Sequence, residues 1–258
     1  PSIHRRSQPD PSRPVGLRTA VLPPPCPDLA MNAMSEEETD RRIEMLISDF
    51  GGVLTSPLVQ SFAAVQDDAG VPPDSLGQAL ATLTESEGKN PLFELECGRM
   101  AESEFMAMMS RQLSEDLGRE VEFRDLGERF FEALHPNEGM IDLIREVRRN
   151  GIRAALLTNN VREWEPLWRS MLPIDELFET VVDSAFVGCR KPDPRIYELT
   201  LERVELPPEA CLFVDDMEVN CKAARELGMR AVHFRETAQA RAEVHRLLEL
   251  DATTGETV

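Results

Sequence analysis

The sequence predicts an α/β fold in which a parallel sheet is layered between helices and a helical segment interrupts the chain after the first strand. Three observations predict it. Short apolar runs recur along the chain and each stops at a polar cluster, the pattern of strands buried on both faces. Beyond residue 152 these runs alternate with stretches of helical periodicity, as parallel strands joined by crossover helices do. Between the first run and residue 152, about a hundred residues carry helix patterns and no strand pattern.

In chain order, residues 1–34 hold eight of the nineteen prolines with Arg5, Arg6, Arg13 and Arg18 and only two acids, Asp10 and Asp28. A disordered tail over 1–41 is expected. It has no apolar stretch for a secretory signal, and Pro23, Pro24, Pro25 and Pro27 would break a transit-peptide helix, so it reads as an extension upstream of a functional start near Met31 or Met34. The first strand is predicted at 45–48. Helices follow at 58–68, 73–84, 102–112 and 123–134, separated by the turn signals Gly70-Val71-Pro72-Pro73, Gly88-Lys89-Asn90-Pro91 and His135-Pro136-Asn137. A helix over 140–149 returns the chain to the sheet. Strands at 152–157, 180–182, 210–214 and 230–234 then alternate with helices at 162–170, 194–204, 219–227 and 238–248. The division expected is a tail (1–41), a discontinuous core (42–57 and 138–258) and a helical insert (58–137), with hinges near 55–57 and 135–138.

Composition narrows the function. The chain carries 28 Lys+Arg against 47 Asp+Glu, a net charge of -19, and only three lysines, which excludes the clustered positive charge a nucleic-acid binder needs. No apolar run reaches the roughly 20 residues of a membrane-spanning helix. Five cysteines, Cys26, Cys97, Cys189, Cys211 and Cys221, form no CxxC pair and are expected to be reduced thiols in a cytoplasm.

Ligands of open α/β sheets bind beyond the carboxyl ends of the strands, so the polar residues that follow each apolar run are the candidates for chemistry. Asp49 follows the first strand and is itself followed by Gly51 and Gly52, which allow a tight turn. Thr158-Asn159-Asn160 follows the second strand and offers a hydroxyl and amides to phosphate oxygens. Lys191 stands before Pro192 and Pro194, which stiffen the start of the next helix. Asp215 and Asp216 are adjacent carboxylates at a strand end, and a divalent cation is the simplest relief of their repulsion. Magnesium suits a few carboxylates completed by waters and phosphate oxygens. Trp164 and Trp168 are expected to pack one helix face, Met106, Met108 and Met109 to fill gaps in the insert, and His135 and His233 to be neither ligands nor bases.

The order Asp, Thr, Lys, Asp-Asp on strand ends resembles the haloacid dehalogenase-like hydrolase superfamily over residues 43–234. The stretch Val187 to Tyr197 followed by Phe213 to Gly228, and Leu95-Glu96-Cys97-Gly98-Arg99-Met100 in the insert, are similar to the branch with a helical cap that includes the N-terminal phosphatase domain of soluble epoxide hydrolases. The resemblance implies a Rossmann-like three-layer core with an inserted α-helical cap domain that closes as a lid. It implies a magnesium-dependent phosphatase acting on a small phosphorylated metabolite, as a monomer or homodimer. By the same resemblance Asp49 is the nucleophile that becomes an aspartyl-phosphate. Thr158, Asn159 and Lys191 bind the transferring group, and Asp49, the carbonyl of Gly51, Asp215 and Asp216 hold Mg2+. One departure matters: where these phosphatases usually carry a second, acid-base aspartate, this chain has Gly51. That raises the expectation of a leaving group needing little protonation, such as a sugar 1-phosphate or an acyl phosphate, or of a proton supplied by a cap residue or solvent. The alternatives it leaves are a 2-haloacid dehalogenase and a catalytically degenerate binding module.

Overall fold

The structure, a computed structural model, describes residues 42–123 and 125–250. The expected tail lies outside these residues. The unit that contains them, Thr39–Val258, is built on one five-stranded sheet in the order β3-β2-β1-β4-β5. The strands are β1 (Met45–Ser48), β2 (Arg153–Thr158), β3 (Thr180–Asp183), β4 (Cys211–Asp215) and β5 (Arg230–His233), and every neighbouring pair is parallel. All five predicted strands are present, with β2 and β4 each displaced by one residue so that Thr158 and Asp215 end them.

Side chains alternate across the sheet, as the period of two requires. On one face Leu46, Leu156, Leu212 and Val214 join an apolar cluster that runs into the helical insert; on the other Met45, Ile47, Leu157 and Phe213 join a second cluster. Helices complete the three layers. In chain order they are α1 (Leu58–Asp68), α2 (Ser75–Glu87), α3 (Pro91–Glu96), α4 (Glu102–Leu117), α5 (Leu126–Glu132), α6 (Glu138–Arg149), α7 (Glu165–Met171), α8 (Ile174–Leu177), α9 (Ser184–Val187), α10 (Pro194–Val204), α11 (Glu218–Glu226) and α12 (Thr237–Leu247). α6 and α12 contribute Met140, Ile141, Ala240 and Val244 to the first face, whereas α10 and α11 contribute Ile196, Tyr197 and Ala224 to the second.

The helices α1 to α5 lie between β1 and α6, where the sequence places an insert. α3 was not predicted: Asn90 caps it by accepting from the Leu92 N–H, and Pro91 occupies its first turn, so the residues read as a turn signal are a helix start. The helix expected over 162–170 divides into a 3-10 turn, Arg162–Trp164, and α7. The tryptophans consequently diverge: Trp168 packs against Phe50 and Trp164 stacks on Phe130.

Where the chain leaves and rejoins the sheet layer, its two crossings are tied together. Thr55 and Pro136 form an isolated antiparallel bridge, the Ser56 N–H donates to the His135 carbonyl at 2.7 Å, and the Asn137 N–H donates to the Leu54 carbonyl at 2.9 Å.

Candidate active site

Strand order puts β1 beside β4, and the chain winds outward from this pair in both directions, so their carboxyl ends flank a topological switch point. Asp49 extends β1 by one hydrogen bond, its N–H donating to the Val214 carbonyl at 2.9 Å. The following turn depends on Gly52, whose φ is +77° and whose missing Cβ leaves room for the Asp216 carboxylate. Gly52 donates its N–H to Thr55 Oγ1 at 3.0 Å, which closes the turn.

Lys191 reaches into this gap. It is 1% exposed, and its ammonium donates to Asp49 Oδ1 at 2.6 Å, Asp215 Oδ2 at 2.7 Å and the Leu157 carbonyl at 2.9 Å. All three donors of the ammonium are thereby used. The other oxygen of Asp215 accepts from the Met217 N–H at 2.8 Å and from Asn220 Nδ2 at 2.9 Å. Asp215 is therefore fixed at both oxygens. Asp216 has its backbone carbonyl braced by the His233 Nε2–H at 3.0 Å.

Asn159 and Lys191 are tied reciprocally: Asn159 Oδ1 accepts from the Lys191 N–H at 2.8 Å and Asn159 Nδ2 donates to the Lys191 carbonyl at 3.1 Å. Its side chain thus holds the lysine loop. Thr158 is buried at the end of β2, its hydroxyl directed to the Asn159 carbonyl at 3.4 Å. Gly51 faces α1, where a Cβ would lie 3.0 Å from both methyls of Leu58.

The electrostatics follow from burial. Burial, reinforced by the charges of Asp215 and Asp216 and opposed by Lys191, pushes the Asp49 carboxyl up to about 7. Burial and Asp215 likewise raise Asp216. Burial pulls Lys191 down, but Asp215 and Asp49 outweigh it and its ammonium is held above the ordinary lysine value. One oxygen each from Asp49, Asp215 and Asp216 lie within 4.8 Å of one another. Three carboxylates, two buried and one half-buried, stand against one ammonium, and hard oxygen donors of this kind fit a magnesium ion.

The sequence reading brought Asp49, Gly51, Thr158, Asn159, Lys191, Asp215 and Asp216 to one place, and the structure gathers them at adjacent strand ends. It adds Asn220, part of the same acidic motif, as the side chain that orients Asp215. It also adds a strap from the insert to the lysine loop. Glu96 pairs with Arg190 at 2.6 Å, Arg99 Nη1 donates to the Gly188 carbonyl at 2.9 Å, and Ser184 Oγ donates to the Glu96 carbonyl at 2.6 Å. The motif 95–100 was read as marking the insert; its partners, about ninety residues away, carry no local signal.

A five-stranded parallel sheet with an aspartate, a buried lysine and paired carboxylates at its strand ends defines a Rossmann-like hydrolase architecture. The family profile described as haloacid dehalogenase-like hydrolase matches residues 43–228, and the chain belongs to that family. Over 222 residues it is 27% identical to bifunctional epoxide hydrolase 2 of Rattus norvegicus, covering 80% of this chain and 38% of the rat protein. Over 147 residues it is 31% identical to a phosphatase of Mycobacterium tuberculosis, covering 56% of this chain and 66% of that protein. Among solved structures, a HAD family enzyme of Bacteroides thetaiotaomicron, in complex with magnesium and inorganic phosphate, superposes with a TM-score of 0.56 at 22% identity. That match covers 75% of this chain and 94% of the Bacteroides chain. The chain spans less than two thirds of the length of either sequence relative.

Proposed function

We propose that the protein is a magnesium-dependent phosphatase that hydrolyses a small phosphate monoester through an aspartyl-phosphate on Asp49. The observation that carries this reading is the cluster of the buried Asp49, Lys191 and Asp215 with the half-buried Asp216. Lys191 holds Oδ1 of Asp49, which leaves the second oxygen to attack phosphorus. As that O–P bond forms, the bond to the leaving oxygen breaks. Thr158 and Lys191 stabilise the charge on the transferring group, and Asn159 keeps the lysine loop in place. Water then attacks phosphorus, the bond from phosphorus to the Asp49 oxygen breaks, the proton of the water passes to solvent, and phosphate leaves with the carboxylate restored. Asp49, the Gly51 carbonyl and Asp216, with Asp215 acting directly or through water, would hold magnesium, which when bound would neutralise the charge of carboxylate and phosphate.

Gly51 brings no acid to the leaving oxygen, so its proton comes from solvent and esters of weakly basic leaving groups are favoured. The insert 58–137 is read as a cap over the site. A cytoplasmic setting with reduced thiols agrees with Cys97, Cys189, Cys211 and Cys221 being free and buried. Among the described residues, no helix is long and apolar enough to cross a membrane.

The test is turnover of p-nitrophenyl phosphate with and without magnesium, repeated with Asp49→Asn. Magnesium-dependent release of p-nitrophenol that the substitution abolishes is expected. No turnover under either condition sinks the reading in favour of a degenerate binding module. Chloride release from 2-chloropropionate without magnesium favours a dehalogenase.

A further inference from the structure

We infer that the organic part of the substrate is a large apolar group, so that the ester is an amphiphile with an alkyl or aryl body and not a sugar phosphate. This deepens the phosphatase reading and rests on it. A cavity of about 670 Å³ adjoins the strand ends: Gly51, Thr158 and Asn159 of the candidate site line it together with side chains from α1 to α5. That volume is in the range of sites that enclose whole drug-sized ligands and far exceeds the needs of a phosphate with a short polar stub.

The chemistry of the wall is one-sided. Leu58, Phe62, Leu80, Met106, Phe130 and Phe131 dominate it, and Trp164 extends the aromatic surface by stacking on Phe130 at 5.2 Å. Of the two carboxylates on the wall, Asp74 and Glu96, the second is already paired with Arg190 at 2.6 Å. A sugar placed here would turn several hydroxyls toward Leu, Met and Phe side chains, each lost hydrogen bond weakening binding by roughly tenfold. An alkyl or aryl body loses nothing and gains burial. The apolar wall also reaches solvent: Phe62 lines the cavity and is 40% exposed, an apolar side chain at the surface where such a ligand would enter. At position 51 the neighbour is Leu58, so the first carbons beyond the ester oxygen meet a methyl surface.

The experiment compares butyl phosphate, octyl phosphate and glucose 6-phosphate as substrates, all below micelle-forming concentrations. In parallel it compares butyl- and octylphosphonate as unreactive ligands by calorimetry. Each buried methylene is worth up to roughly fourfold in binding, so kcat/KM for octyl over butyl phosphate is expected to rise by about tenfold to a hundredfold, with the phosphonate affinities in the same order. Leu80→Glu and, independently, Met106→Trp are expected to lower the octyl-to-butyl ratio. Equal rates for the two alkyl esters, or a preference for glucose 6-phosphate, overturn the inference. If no ester, p-nitrophenyl phosphate included, is turned over while octylphosphonate still binds at least tenfold tighter than butylphosphonate, the phosphatase reading fails and the apolar occupant stands. Absence of both effects overturns both.

Discussion

At the scale of single residues, the site turns on what stands at position 51 and on how charge is buried around it. Glycine there leaves Leu58 against the turn, so a carboxylate can be restored only if that leucine gives way by a few tenths of an ångström. The pair Gly51→Asp with Leu58→Ala is expected to raise hydrolysis of alkyl phosphates by roughly 10²–10⁴-fold while changing aryl phosphates less, measured as the ratio of the two rates. A second buried acid, Asp183, ends β3 beside Thr158. Asp183 accepts from the Ala185 N–H through Oδ1, while its Oδ2 is buried without a partner, and burial pushes its carboxyl up to about 7. The folded carboxyl keeps its proton to about pH 7, whereas the unfolded one loses it near its ordinary value of 3.8, so stability falls as pH rises between them. Urea unfolding at pH 5 and pH 8 should show a smaller loss in Asp183→Asn, by at most about 3 kcal/mol. That Asp49, Lys191 and the Asp215-Asp216 pair meet was legible because three of them follow apolar runs directly and the lysine sits in the loop feeding the next helix. The reciprocal bonding of Asn159 to the Lys191 backbone was not, because it depends on two loops meeting.

At the scale of elements, the strands were readable and the short helices were not. A strand buried on both faces writes itself as an apolar run, and β1 and β4 do so. α3, α8 and α9 are six residues or fewer, too short to display a period. α3 nonetheless ends in the strap that joins the insert to the lysine loop. Gly98 follows it with a φ of +64°, and a Cβ there would run into the Ala185 carbonyl and the Arg162 guanidinium. Gly98→Ala is therefore expected to cost at least about 2 kcal/mol in thermal or urea unfolding, since both the backbone conformation and the close approach penalise a side chain. Stability equal to the parent would mean that the strap yields freely.

At the scale of the whole molecule, a net charge of -19 is concentrated further by three carboxylates gathered around one lysine. A cation that binds only the folded state stabilises it by mass action, about 2.7 kcal/mol at a hundred times its Kd. The unfolding temperature is accordingly expected to climb with magnesium concentration, and Asp216→Asn to flatten that climb, as read by calorimetry. A rise that survives the substitution would place the cation elsewhere. The bridge between Thr55 and Pro136 has a consequence for chain length. Because the outgoing and returning backbones are held side by side, the two ends of the intervening stretch lie together, and a residue added or removed at one of its exposed turns need not shift the strands on either side.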